Sequence, residues 1–191
     1  MKKIGITGGI ASGKSLICKI LEEIGYPVFY SDRMAKNLIQ SDQFLKEQLQ
    51  LILGEEAYSD DRLNKAFIAS RAFKDPTILE KMNQIIHPAV RRAFDIWCEK
   101  QNKVIVFNEA AILFETGAYL KLDATLLVTA PMETRIRRAM LRDKSNREEV
   151  VQRISRQWSD EQKIPLATFV LNNDEETPIL KQVEDFLMYL N

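Results

Sequence analysis

Gly8-Gly9-Ile10-Ala11-Ser12-Gly13-Lys14-Ser15 reads as a glycine, four residues, then Gly-Lys-Ser. A match of this kind arises by chance in roughly one chain of this length in a hundred, so its surroundings must decide. Glycines let a main chain turn tightly and bring its N–H groups up to an anion, and the spacing is that of a loop that cradles phosphates. The ammonium of Lys14 would then reach β- and γ-phosphate oxygens, and the Ser15 hydroxyl would ligate Mg²⁺. Phosphoryl transfer further needs a group that orients or deprotonates the acceptor, and positive charge where negative charge migrates. Asp32 is the candidate for the first task. A carboxylate there would accept a proton, or it would cap a helix starting at Arg33, and position alone leaves both readings open. The charge for the second task is concentrated in Glu133–Arg156, where seven arginines and Lys144 face four acids, a net of +4. Arg138 and Arg142 lie one helical turn apart and share a face, so both could point at a triphosphate. Arg147, Arg153 and Arg156 follow in the kind of polar stretch that closes over a nucleotide as a lid, the alternative being a solvated helix laced with salt bridges. His87, the one histidine, stands before Pro88 and by residue type is more often packed or capping than catalytic.

Such residues need particular elements to hold them. Four of the seven glycines fall in the first thirteen residues. Lys3–Thr7 before them has strand character, while Leu16, Ile17, Ile20, Leu21 and Ile24 after them recur at helical spacing up to a stop at Gly25. The opening therefore predicts strand, glycine loop and helix, the setting in which loop amides and a helix N-terminus converge on an anion. Pro27–Tyr30 predicts a second strand, leading through Ser31 and Asp32 into a helix carrying Ala35 and Leu38. From about 42 to 101 nothing resembles a strand. Leu45, Leu49, Leu53, Phe67, Met82, Ile86 and Phe94 suggest successive helices there, as a substrate-side insertion would have. Strands are predicted again at Val104–Phe107, Ala124–Val128 and Thr168–Leu171. The arginine-rich helix starts near Met132, and Thr177-Pro178 reads as N-cap and first position of a last helix with Ile179, Val183, Phe186 and Leu190 on one stripe. Apolar strands alternating with helices predict an α/β fold with a parallel sheet of about five strands.

Composition excludes several classes. With 46% apolar and 28% charged residues the 191-residue chain is an ordinary globular protein, and its 27 cations cancel its 27 acids, so no global field points to nucleic acid or a membrane surface. Gly8 and Gly9 break the first apolar run before a signal sequence or membrane span could form, which predicts a cytoplasmic protein. Cys18 and Cys98 with a single histidine supply neither a disulfide framework nor a Cys/His zinc site, so any metal would be held by oxygen. No obligate protein partner is indicated.

In order along the chain, these residues resemble the dephospho-coenzyme A kinases. The resemblance covers essentially the whole length. It rests on Gly5–Ser15, on Asp32 with Ala35, on Ile86-His87-Pro88, on Leu113-Phe114-Glu115, on Arg138, Arg142 and Arg147, on Arg153-Ile154 with Gln157, and on Ala167–Asn173. It implies a P-loop kinase core like that of the nucleoside-monophosphate kinases, formed here by 1–41 and 102–191, with a helical coenzyme A side at about 42–101 and a lid at about 143–164 of one kinase unit. The implied reaction moves the γ-phosphoryl of ATP, with Mg²⁺, to the ribose 3′-hydroxyl of dephospho-CoA, the last step of coenzyme A synthesis. It also implies that Gly9, Ile10, Ala11, Ser12, Gly13, Lys14 and Ser15 bind nucleotide phosphates, that Asn173 lies near the adenine, and that Arg138 and Arg142 face the phosphates. Asp32 is implied as the base, and Thr7, Asp32, His87 and Glu115 as residues of the acceptor side. The chain departs from the family's habits at Tyr30, Ala111, Thr168 and Asp174, where aspartate, proline, aspartate and glycine are usual. Two rivals share the loop: a kinase for another small acceptor, and a nucleotide-dependent switch whose helical block binds a protein.

Overall fold

The computed structural model describes residues 1–59, 62–75 and 77–190. Strand β1 (Lys2–Gly8) leads to helix α1 (Lys14–Glu23), and β2 (Val28–Tyr30) runs directly into α2 (Ser31–Ser41), followed by α3 (Gln43–Leu53). A short antiparallel pair, β3 (Tyr58–Ser59) and β4 (Arg62–Leu63), precedes α4 (Lys65–Lys74) and the long α5 (Thr77–Glu99). Then come β5 (Ile105–Glu109), β6 (Ala124–Thr129), α6 (Met132–Asp143), α7 (Arg147–Ile154), the single turn α8 (Asp160–Lys163), β7 (Phe169–Asn172) and α9 (Ile179–Leu190). The chain divides into two compact units, residues 1–29 with 101–191 and residues 30–100.

The first unit is built on a five-stranded parallel sheet in the order β2-β5-β1-β6-β7. β1 lies between β5 (Ile4 beside Phe107) and β6 (Ile6 beside Leu126). Burial explains the order: β1, β5 and β6 carry unbroken buried runs, as strands covered on both faces must, whereas in β7 only Leu171 is buried, as suits an outer strand. Helix α1 ends where sequence places its stop. Gly25 takes φ 89°, a left-handed value that glycine accepts without strain, and Tyr26 N–H closes back on the Leu21 carbonyl. The last helix buries Val183, Phe186 and Leu190, with the Phe186 ring 5.2 Å from that of Phe169 and 6.3 Å from that of Phe107. It starts at Ile179, one residue later than predicted. The Asp174 carboxylate takes the Thr177 N–H and hydroxyl at 2.8 and 3.0 Å, which ties Thr177 to the preceding turn.

In the second unit α2 and α3 pack on α5. That packing is why 30–41, grouped with the nucleotide-binding core in the sequence reading, falls with the helices instead. Helix α5 buries Ile78, Met82, Ile86, Ala89, Val90, Phe94 and Cys98, a stripe at three- and four-residue spacing that continues straight through Pro88. Pro88 does not end the helix, because the apolar stripe outweighs the one hydrogen bond that proline removes from the ladder. The β3–β4 pair is a second correction, since no strand was expected between 42 and 101. It is two residues long on each side, too short to leave an alternating pattern, and the Tyr58 hydroxyl ties it to the Ile39 carbonyl at 2.8 Å. Asp42 and Asn64 cap α3 and α4 by accepting from Leu45 N–H and Phe67 N–H.

Phe186 has no exposed surface and joins α9 to the sheet. Phe186→Ala should cost about 3–5 kcal/mol in urea unfolding of the purified protein, and Phe186→Leu less than half of that.

Candidate active site

The glycine loop connects β1 to α1, as its spacing predicts, and it lies tight against its neighbours. A Cβ on Gly8 would stand 2.2 Å from the Val128 carbonyl oxygen, one on Gly9 2.0 Å from Arg135 Nη2, and one on Gly13 2.0 Å from Asn173 Nδ2. Ser12 N–H turns back to the Gly9 carbonyl at 3.1 Å, and the Gly13 carbonyl accepts from Leu16 and Ile17, which starts α1. The side chains of Ile10 and Ala11 pack on a small apolar cluster of Ile136, Ala139, Val150 and Ile154 from α6 and α7. Lys14 folds over the loop, its Nζ donating to the Gly8 carbonyl at 2.9 Å and reaching that of Gly9 at 3.4 Å. Ser15 is exposed on the first turn of α1. Loop N–H groups, a helix N-terminus and an ammonium thus converge, which is the requirement for holding a polyphosphate.

Asn173, one residue past β7, lies against this loop. Its N–H meets the Thr129 carbonyl at 2.8 Å, and its side-chain amide donates to the Ser12 carbonyl at 2.8 Å. Arg138 Nη2 in turn reaches the carbonyl and side-chain oxygens of Asn173 at 3.2 and 3.4 Å and pairs with Glu175 at 3.1 Å. Arg142, one turn further along α6, goes elsewhere: it pairs with Asp143 at 2.7 Å, and Arg153 meets the same carboxylate at 2.7 Å. Hydrogen bonds from Arg142 and Arg153 hold the Asp143 carboxyl well below the usual carboxylate range. The structure therefore brings Arg138 to the loop's neighbour Asn173 and leaves Arg142 in a surface ion pair. Arg147, at the start of α7, pairs with Glu133 at 2.6 Å.

Two expected acceptor-side residues lie within the same unit. Thr7 is fully buried at the end of β1, its hydroxyl 3.5 Å from the Ala111 carbonyl. Glu115 forms an ion pair with Lys163 at 2.9 Å and accepts from Trp158 N–H at 3.2 Å. Lys163 has no exposed surface, and Glu115 Oε2 is buried without a hydrogen-bond partner among the described residues. Beside this pair Arg135, also buried, donates from Nε to the Ile10 carbonyl at 3.0 Å and pairs with Asp160 at 3.4 Å. The Ile10 N–H goes to Gln157 Oε1 at 2.9 Å, and Gln157 Nε2 reaches the Ala111 carbonyl at 3.4 Å. Arg135, Asp160 and Lys163 are residues that sequence reasoning did not single out. The signal for Arg135 was its place beside Ile136 and one turn before Ala139, on the apolar face of α6, where an arginine must be paired.

In the second unit Asp32 is exposed in the first turn of α2. The helix begins at Ser31 with Tyr30 as its N-cap and no side-chain cap, so the reading of Asp32 as cap of a helix starting at Arg33 is corrected. A carboxylate inside a first turn is favoured by the partial positive charge of the helix end. His87 is half-buried within α5, and burial, followed by the Arg91 charge, pulls its imidazole down from the usual histidine value, which favours the neutral ring. Among the described residues no group of three or more His, Cys, Asp or Glu could hold a metal ion, and no helix is long and apolar enough to cross a membrane.

The family model described as dephospho-CoA kinase matches residues 2–178. A dephospho-CoA kinase of Bacteroides fragilis is 40% identical over 189 residues, which cover 98% of this chain and 92% of that protein. A solved structure from Thermus thermophilus superposes with a TM-score of 0.84 at 37% identity, covering 99% of this chain and 95% of that one. A shikimate kinase from Bacteroides thetaiotaomicron, 16% identical, shares the fold with a TM-score of 0.53 over 99% of this chain and 98% of its own.

Because Lys163 and Glu115 compensate each other, Lys163→Ala should cost about 3–5 kcal/mol in chemical denaturation, leaving a largely buried carboxylate without its counter-charge. Lys163→Met combined with Glu115→Gln should recover most of that loss.

Proposed function

The chain belongs to the dephospho-CoA kinase family, and from that premise we propose how its own residues carry ATP-dependent phosphorylation of dephospho-CoA, the last step of coenzyme A biosynthesis. The observation that supports the assignment of the nucleotide site is the strand, glycine loop and helix N-terminus with Lys14 folded over them. The N–H groups of the Gly9–Ser15 loop that Gln157 and the Gly9 carbonyl do not already engage bind the β- and γ-phosphates of ATP. Lys14 Nζ exchanges the carbonyls of Gly8 and Gly9 for phosphate oxygens, a stronger charge-assisted pairing. Arg138, already against Asn173, meets the charge that spreads over the transferring group. Arg142 joins it only by leaving Asp143.

Asp32 is the group that orients the ribose 3′-hydroxyl and accepts its proton as the oxygen–phosphorus bond forms and ADP departs. His87 and Glu115 belong to the acceptor side, His87 as a neutral hydrogen-bonding ring and Glu115 through the loop after β5. The single hydroxyl of Ser15 suits Mg²⁺, which keeps water and phosphate ligands and needs little from the protein. The Ser15 hydroxyl would hold the ion, which would supply positive charge to offset that of the phosphates.

ADP release measured with dephospho-CoA, adenosine monophosphate, cytidine monophosphate and no acceptor separates the readings. Release with dephospho-CoA alone is expected; release with another acceptor would point to a different small-molecule kinase, and equal slow release throughout to a nucleotide-dependent switch. Lys14→Ala should stay folded and lose about 10³-fold or more in kcat. At Asp32 the substitutions divide the roles: as a base, Asn and Ala variants each lose about 10²–10⁴ in kcat with ATP affinity nearly intact. Full activity in folded Asp32→Ala would remove that residue from the mechanism.

A further inference from the structure

We infer that Arg135 is a positioning residue for the phosphate loop, tying the loop's shape to the strap formed by residues 157–163. The inference rests on Gly8–Ser15 being the nucleotide site. Gly9 is the first observation. Unlike Gly8 and Gly13, it has no positive φ, so its backbone would accept an alanine; what excludes a Cβ there is the guanidinium, with Nη2 at 2.0 Å and Cζ at 2.4 Å from that position.

Ile10 is the second. Its carbonyl accepts from Arg135 Nε at 3.0 Å and its N–H donates to Gln157 at 2.9 Å. Both peptide planes flanking Ile10 are thereby fixed by side chains from outside the loop. Neither plane can rotate without leaving a buried polar group unpaired.

The strap supplies the third. Gln157 holds Ile10, Trp158 N–H holds Glu115, Asp160 holds Arg135 and Lys163 holds Glu115. Four anchors within seven residues make this end of the expected lid a fixed wall of the loop. Arg135 touches both, donating to the Ile10 carbonyl of the loop and pairing with Asp160 of the strap.

Loss of Arg135 frees the peptide plane that follows Ile10, and each binding event must then order it again, which weakens nucleotide affinity without removing any group that meets the transferring phosphoryl. ADP titration by calorimetry and steady-state kinetics with ATP provide the test. Arg135→Gln should raise the ADP Kd and the ATP KM roughly tenfold, the usual effect of losing one charged hydrogen bond, with kcat at saturating ATP within about threefold of wild type. Gly9→Ala keeps every strap residue and should raise the ADP Kd similarly, because its methyl displaces the guanidinium. The double variant should be no weaker than the worse single one, since both remove the same contact. A lowered thermal midpoint with unchanged ADP Kd in Arg135→Gln, or additive losses in the double variant, would overturn the inference. Failure of the wild-type protein to bind ADP would instead overturn the nucleotide site on which it rests.

Discussion

Main-chain amides can surround a phosphate only where the chain behind them is packed without side chains, and in this protein that close backing organises the rest. Each of three glycines is required by a different neighbour: Gly8 by the Val128 carbonyl of β6, Gly9 by Arg135 of α6, Gly13 by Asn173 beyond β7. The strand order makes this possible. With β6 beside β1 and β7 beside β6, the segments leaving the carboxyl ends of both strands arrive at the loop that leaves β1. Nucleotide-binding geometry is thus a product of the sheet's topology as much as of the eight-residue motif.

The arginine-rich region divides into two kinds of residue under the same constraint. Arg135 and Arg138 turn inward, to Ile10 and Asn173, while Arg137, Arg142, Arg147 and Arg153 pair with acids at the surface. Surface pairs of this kind contribute little to stability and exchange partners readily, so these arginines are available to an incoming anion at small cost. Val150 and Ile154 meanwhile anchor α7 on α6 through the cluster that also receives Ile10 and Ala11. Charge that must rearrange is carried by a scaffold that is packed.

Where a residue's role is local, sequence made it legible. The strand, loop and helix around Lys14, the stop at Gly25 and the five strands follow from spacing, because period and glycine placement act over a few residues. Roles that depend on distant partners were not legible. Nothing near Arg135 announces Asp160, nothing near Glu115 announces Lys163, and the helix that passes through Pro88 is decided by what its apolar stripe packs against. Asp32 lies between these cases: its neighbourhood at the end of β2 was readable, but the helix start at Ser31 depended on backbone geometry with no side-chain signal.

Arg135 and Lys163, both buried, pair with the partly buried Asp160 and Glu115 to form a set of two cations and two anions behind the phosphate loop. Water solvates separated charges less well as temperature rises, so the penalty for keeping these four out of solvent shrinks on warming, whereas the gain from apolar burial levels off. The support behind the loop therefore has the opposite thermal trend to the aromatic packing around Phe186. On heating, the balance of support within this unit shifts from the aromatic layer toward the charged backing of the loop.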